Sequence, residues 1–428
     1  MAVPRRTPVP AAVVELLGSA RFTSTLALLG VIVGFSTHAI RAVIGWPGLI
    51  GALSALVALA VLSFAAQWKL IEWHGLLPVS ALMFAGWCAL SLFWSQYQLA
   101  TLGGVLYQLL FAFLAVYIAL VRDAIQIVRV VGDALRTLLT VSLALEVLSG
   151  LLLDMPIRFL GILGNIASGG PIQGLFGTRN QLSIVALIAF VTFLVELRTR
   201  SVRPQLAAFS IALAALCLLF AHSPVIAAVS VVVSLATLAL YGIRKVPDGA
   251  RSYAQWGLAL FTVAVLVATY FSRTRVIDLL NARADFQVRY QLWLQIWELI
   301  PVQQSVGWGW TGAWPTDLYP FGAIQAATGM YHPNGLNAYL DVYLQVGVIG
   351  LLLFVVLVAL AFVRSWLLAS VRRSVVYAWA PLVLVALLVT SVFESSILVE
   401  SGWMLLVICT VKASQGMSWR WRLARSQS

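Results

Sequence analysis

Charge is scarce in this chain of 428 residues: Asp, Glu, Lys and Arg together make 10% of it. A soluble globular domain carries about 25%, so this chain cannot build a water-facing surface of ordinary size. That excludes a cytosolic enzyme, a secreted domain and a disordered scaffold. Cysteine is nearly absent too. Cys88, Cys217 and Cys409 each sit in an apolar run without CxxC spacing, which argues against a zinc site or a disulfide framework. No DxD, DxE or ExD occurs, no HExxH and no Walker loop. No metal, ATP or other cofactor is expected.

Apolar residues are abundant, at 61% of the chain, with a mean hydropathy of +0.97. About 20 consecutive apolar residues cross a bilayer as a helix. Twelve stretches qualify, near 22–40, 46–66, 76–94, 100–121, 131–152, 179–197, 204–222, 224–241, 256–271, 340–363, 376–393 and 396–412. The expected fold is an all-α polytopic membrane protein. Spans one to nine occupy 1–271, a long loop 272–339, and spans ten to twelve with a C-terminal tail 340–428. The run after Arg5, Arg6 and Arg21 has no small-residue cleavage site and reads as a retained first span.

The net charge of +12 is explained by position rather than by nucleic acid, which is not an expected partner. With twelve spans and the N-terminus inside, both termini face the cytoplasm. All but seven of the 27 Lys and Arg then fall on the inner side, as the positive-inside rule requires. The seven on the outer side are Arg41, Arg158, Arg179, Arg273, Arg275, Arg283 and Arg289. Six of them cluster on two outward loops or the span start beside them. One loop, near 153–178, is rich in Gly and reads as re-entrant or interfacial. The other, 272–339, is the longest polar stretch, and long loops without structural need usually carry function. Such arginines either snorkel to lipid phosphates or hold an anionic ligand at the outer surface, which the set favours. Arginine's planar fork suits phosphate.

The segment 282–300 has helical periodicity, with Phe286, Trp293, Ile296 and Ile300 on one stripe and Gln287, Gln291, Gln295 and Glu298 opposite. Such a helix lies in the interface plane. Arg289 falls within its apolar stripe, where it is either buried against a partner or reaching a phosphate. His332 precedes Pro333, a residue suited to a first helical turn. That places His332 just before the tenth span, near a positive helix end that favours an anion. Asn334 and Asn337 are close by. His38, His74 and His222 sit at span ends or within spans. Glu146, Asp341, Glu394 and Glu400 are acids at the outer margin of spans, each expected to pair with an outer arginine.

Taken together, the twelve spans, the long loop before the tenth, Arg289-x3-Trp293, Pro301, Gly307-Trp308-Gly309 and the His332 segment running to Gly347 and Gly350 resemble the O-antigen ligase family. Residue likeness is confined to 174–180, 289–309 and 332–353. The chain departs from the family in the turn His222-Ser223-Pro224, where relatives often place Arg or Lys after Ser.

The resemblance implies a GT-C-like glycosyltransferase of the bacterial inner membrane, with a periplasmic active site. It would transfer polysaccharide from undecaprenyl diphosphate-linked O-antigen to lipid A–core, in lipopolysaccharide biosynthesis, without metal or ATP. Arg179, Arg289, Arg158 and Arg275 would bind the diphosphate, with His332 and Arg289 at the catalytic centre and His332 as base. Neighbouring arginines would hold His332 neutral. The loop helix would cover a groove that both lipids enter from the membrane. Two alternatives remain: an O-antigen polymerase using the same donor, and a transporter or flippase of lipid-linked sugars. A transporter predicts charges through the middle of several spans, whereas these lie at the outer margin.

Overall fold

The computed structural model describes residues 11–68, 78–279 and 281–416. Arg5, Arg6, Lys69, His74, Arg420, Arg422 and Arg425 lie outside the described residues, as does the start of the third candidate span. The fold is all-α. Among the described residues there is no strand, and a single bridge joins Ile157 to Ile162.

In chain order the helices are α1 (Ala11–Gly18), α2 (Ala20–Phe35), α3 (Thr37–Gln67), α4 (Val79–Leu90), α5 (Gln98–Val121), α6 (Ala124–Val147), α7 (Arg179–Thr199), α8 (Pro204–Phe220), α9 (Pro224–Lys245), α10 (Asp248–Phe271), α11 (Arg273–Leu279), α12 (Arg283–Leu299), α13 (Phe321–Thr328), α14 (Ala338–Val371), α15 (Val376–Thr390) and α16 (Glu400–Gly416). Each of the twelve apolar stretches overlaps one of them. Seven are long and apolar enough to cross a membrane: α3, α5, α6 with its continuation to Leu152, α7, α9, α10 and α14. Shorter apolar helices include α2, α8, α15 and the stretch Val79–Phe93. The chain is thus a membrane protein in character.

The bundle centre is α7, α15 and α16, whose buried faces meet α5, α6, α8, α9 and α14. Buried Ala, Gly and Ser let helix backbones approach closely, as they do where lipid removes the hydrophobic drive between helices. At the rim, α10 has no buried residue; an apolar helix exposed all round belongs in lipid.

Two of the described helices are broken. Gly45 takes φ 70° inside α3, two residues before Pro47, which is where the first two candidate spans are divided. In α14 the break is at Val346 and Gly347, with Gly347 at φ 69°. A break inside an apolar helix frees backbone groups that lipid cannot satisfy. Here the long loop and Trp87 of α4 satisfy them. The carbonyls of Leu344 and Gln345 accept from the amides of Trp308 (3.1 Å) and Gly309 (2.8 Å), and that of Val346 from Trp87 Nε1 (3.0 Å). The amide of Val348 donates to Gln304 O (2.9 Å). A Cβ at Gly347 would stand 2.2 Å from Ser305 O, and one at Gly307 2.5 Å from Gln345 O. The Gly307-Trp308-Gly309 motif is therefore backbone stitched into a broken helix.

The loop has an apolar cluster of its own. Leu292 and Ile296 of α12 pack with Ile300, Trp308, Trp314, Phe321, Ile324 and Leu344. The helix expected over 282–300 is present, and its buried stripe rests on α13 and α14. The opposite edge exposes Tyr290, Leu294 and Trp297. The Gly-rich segment after α6 forms three short 3-10 turns. Leu151, Leu152, Leu153, Met155, Phe159 and Leu163 are all exposed there.

Candidate functional site

Asp341 and Gln345 face the loop from adjacent turns of α14, four residues apart, and both are fully buried. Asp341 Oδ1 accepts from Trp314 Nε1 (2.8 Å) and Gln345 Nε2 (2.8 Å), while Oδ2 accepts from the Gly335 amide (3.1 Å). Gln345 Oε1 accepts from the amides of Thr311 (2.8 Å) and Gly312 (2.9 Å). Both limbs of the loop are thus tied to one helix. Among the described residues Asp341 makes no ion pair, contrary to the expectation for it; a carboxylate that collects an amide, an indole and a side-chain amide is stabilised by donors alone.

The start of α14 also lies later than Pro333 suggests. Asn337 is the N-cap, accepting from the amides of Tyr339 (3.0 Å) and Leu340 (3.1 Å). Pro333 lies outside the helix, its carbonyl accepting from the Trp314 amide (2.9 Å). His332 accordingly does not stand at a helix N-terminus, and the anion-favouring dipole expected there does not act on it.

A second polar group centres on Glu394, in the turn after α15. Its Oε1 accepts from Arg289 Nη2 (2.8 Å) and Asn180 Nδ2 (2.7 Å). Asn180 Oδ1 in turn accepts from Ser223 Oγ (2.7 Å), and Ser223 caps α9. Ser223 thereby holds Asn180 against Glu394. Arg289 also donates from Nε to Phe393 O (3.0 Å) and from Nη1 to Asp285 O (2.9 Å). Its side chain is 6% exposed. Of the two readings of Arg289, burial against a partner is what the geometry shows. Three of its five N–H donors have protein acceptors. Burial pushes the Glu394 carboxyl above the usual carboxylate range, and Arg289 and Asn180 oppose that shift.

Arg179 opens α7 and lies beside this group. Its Nη2 reaches both oxygens of Asp285 (2.9 and 2.6 Å), and the side chain is 37% exposed. The backbone carbonyl of Asp285 serves Arg289 and its carboxylate serves Arg179, so one residue of α12 joins the two arginines. Arg158 and Arg275 are exposed; among the described residues neither has an ion-pair partner. Arg283 pairs with Asp278 and Arg273 lies over Tyr270. The structure brings Arg179 and Arg289 together and gives no contact between them and Arg158 or Arg275.

The other two marginal acids divide. Glu400 pairs with Arg41 (2.6 Å) and also accepts from Tyr107 (2.9 Å) and Thr37 (2.5 Å), as expected of it. Glu146 makes no ion pair among the described residues. It accepts the amides of Gln173 (2.9 Å) and Gly174 (2.8 Å), pinning the Gly-rich segment onto α6.

His332 is 3% exposed, and its Nε2 is buried with no hydrogen-bond partner among the described residues. Buried polar atoms are paired in the great majority of cases; this nitrogen is one of twelve exceptions among the described residues, His38 Nδ1 being another, and it is the histidine atom that lies on the long loop. Burial lowers the imidazole pKa below its ordinary value and keeps the ring neutral. The expectation that arginines do this is corrected: desolvation is the cause. A neutral imidazole with a free nitrogen can accept a proton. Trp293, one turn from Arg289, donates to Gly335 O (3.1 Å), joining α12 to the His332 segment.

Sequence reading missed Gln345, Asn180, Ser223 and Trp314. The signal for Gln345 was an acid and an amide at helical spacing on an otherwise apolar helix. Among the described residues no three His, Cys, Asp or Glu side chains are grouped so as to hold a metal ion. No protein-family model matches the chain, and no curated protein matches it.

Proposed function

We propose that this membrane protein is a glycosyltransferase that moves a glycan from a lipid diphosphate carrier to a hydroxyl of a second glycolipid. The orphaned Nε2 of neutral, buried His332 carries this reading. In it, His332 takes the proton of the acceptor hydroxyl as that oxygen attacks the anomeric carbon. The carbon–oxygen bond to diphosphate breaks, and the diphosphate leaves with both electrons. A good leaving group of this kind requires cations that stabilise developing negative charge. Arg158 and Arg275, without a carboxylate partner among the described residues, and half-exposed Arg179 are assigned to it. Arg289 acts as a positioning residue for the Glu394 turn and Arg179.

The resemblance to O-antigen ligases supplies the identities: undecaprenyl diphosphate-linked O-antigen as donor and lipid A–core as acceptor. It also supplies the setting, a GT-C-like bundle of about twelve spans in the bacterial inner membrane, with cytoplasmic termini and the site on the periplasmic side. The polymerase alternative shares this geometry and differs only in acceptor. The transporter alternative draws on broken α14, since discontinuous helices commonly bind transported solutes. Its freed backbone groups, however, are taken by the loop and Trp87.

The test is reconstitution of the full chain with lipid-linked O-antigen and lipid A–core. Ligated product supports the ligase. Product formed only from two lipid-linked glycans points to the polymerase. Donor moved across the bilayer with no product formed in either case would sink the transferase reading.

A further inference from the structure

At the end of the bundle away from the long loop, the last turn of α7, the start of α8 and the first turns of α6 surround an open cavity of about 820 Å³. Arg129, Arg200 and Arg203 line it, with Asp133, Leu197 and Leu206. Asp133 is already engaged by Arg136 Nη1 (2.5 Å), and Arg136 Nη2 holds buried Glu196 (2.7 Å). Among the described residues, no carboxylate lies within ion-pair distance of Arg129, Arg200 or Arg203. Three exposed arginines therefore line one concavity whose single carboxylate, Asp133, is already paired with Arg136.

Their placement follows from local structure. Arg200 is the left-handed C-cap of α7 at φ 53°, which turns the chain sharply, and Arg203 is the N-cap of α8 with Pro204 at its first position. The short turn between them brings both arginines to the rim, where the start of 17-residue α8 adds its open amides and positive dipole end. Arg129 meets them from α6. Leu197 and Leu206 are 37% and 39% exposed, which gives the same concavity an apolar wall continuous with the membrane-facing helices. Like charges gathered beside an apolar wall repel unless an anion sits between them. An anion with an attached hydrocarbon chain meets both requirements.

We propose that this concavity binds the phosphodiester of an anionic phospholipid, with the guanidinium forks on the phosphate oxygens and the glycerol and upper acyl chain against Leu197 and Leu206. The site lies on the basic side of the bundle, where anionic headgroups are drawn to arginine-rich segments. It shares no residue with the proposed transfer site, so either reading stands or fails alone.

The experiment uses the full chain in nanodiscs of phosphatidylcholine, with or without phosphatidylglycerol, and reads retained lipid by native mass spectrometry together with the melting temperature. The wild type retains phosphatidylglycerol and melts higher in its presence. The variant carrying Arg129→Gln, Arg200→Gln and Arg203→Gln binds it on the order of 100-fold more weakly, while melting like wild type in phosphatidylcholine alone. A second variant with Arg364→Gln, Arg372→Gln and Arg373→Gln, basic residues outside the cavity, keeps wild-type binding. Equal loss in both variants overturns the proposal in favour of a general surface field. Wild-type binding by the first variant overturns it outright. Inorganic phosphate that displaces the lipid and reproduces the higher melting temperature overturns the lipid assignment.

Discussion

Removing Arg289 leaves Glu394 as a carboxylate buried at 7% exposure with Asn180 as its remaining partner. Breaking a buried pair by deleting one member costs about 3–5 kcal/mol, because the survivor is an uncompensated charge. Arg289→Met also leaves Phe393 O without its Arg289 donor, so the upper part of that range is expected. Glu394→Gln keeps the shape and an acceptor but strands the guanidinium, with a cost of similar size. The double variant removes both charges, and the two costs do not add; a coupling of at least about 2 kcal/mol is expected between residues in direct contact. Arg289→Lys keeps a charge facing Glu394 but cannot reach three acceptors as the planar fork does, and loses about 1–3 kcal/mol. The assay is denaturant unfolding of the reconstituted chain followed by tryptophan fluorescence, with transfer rates measured on the same preparations. A positioning role predicts that activity falls with stability and recovers in part in the double variant. If Arg289→Lys and Arg289→Met unfold like wild type while transfer drops about 100-fold or more, Arg289 is a ligand-facing clamp and the assignment made here is wrong.

His332→Ala is expected to abolish transfer while the protein stays folded and inserted; near-normal product would remove His332 from the mechanism. Because burial lowers its pKa, the acid limb of the transfer rate should have its midpoint below about 6.5, the ordinary histidine value. The native state resists protonation there, so the stability contribution is complete above that pH and declines as pH falls toward the native value. A midpoint above 7 would contradict the assignment. Activity should survive exhaustive EDTA treatment, and loss restored by Mg2+ or Mn2+ would overturn that. Gly347→Ala should destabilise by about 1–3 kcal/mol through its left-handed backbone, and by more through the contact with Ser305 O. Gly242→Ala, in α9 with open space around it, should be neutral or stabilising, since alanine favours a helix; equal melting of the two variants would remove strain at the break as a cause.

Hydropathy made the helices legible because an apolar helix in lipid needs no other signature. Periodicity made α12 legible, and one charge in an apolar stripe marked Arg289 as anomalous. Its partner was not legible, since Glu394 is 105 residues away and no local spacing encodes a pairing at that range. The start of α14 was misread because two start signals compete: Pro333 fits a first turn, and Asn337 caps one. The asparagine wins, because the Pro333 carbonyl is held by the Trp314 amide and Gly335 by Asp341. Glu146 was read as an ion-pair candidate because sequence shows which charges lie nearby but not which backbone amides do. The break in α14 was visible only as a glycine in a motif. Nothing in the sequence says that a segment some forty residues earlier fills it.

A proton acceptor on a loop as long as 272–339 would ordinarily be too loosely held for general base catalysis, which needs the accepting atom within hydrogen-bond reach of its substrate. In the proposed role, His332 escapes that difficulty because the loop is part of the span. Four backbone pairings, from Gln304 to Gly309, close the break in α14, and opening them in lipid would expose groups that each cost several kcal/mol. One turn away, Asp341 and Gln345 hold the two limbs of the loop through Gly312, Trp314 and Gly335. Trp293 then fixes α12 to the same limb as His332. A displacement of α12 therefore pulls on Gly335, and through it on the histidine segment, while Asp285 and Glu394 carry it to Arg179. The paired arginines and the unpaired imidazole nitrogen belong to one mechanically connected layer. Substitutions in its struts, Asp341 and Gln345 foremost, should disturb transfer without touching any reacting atom.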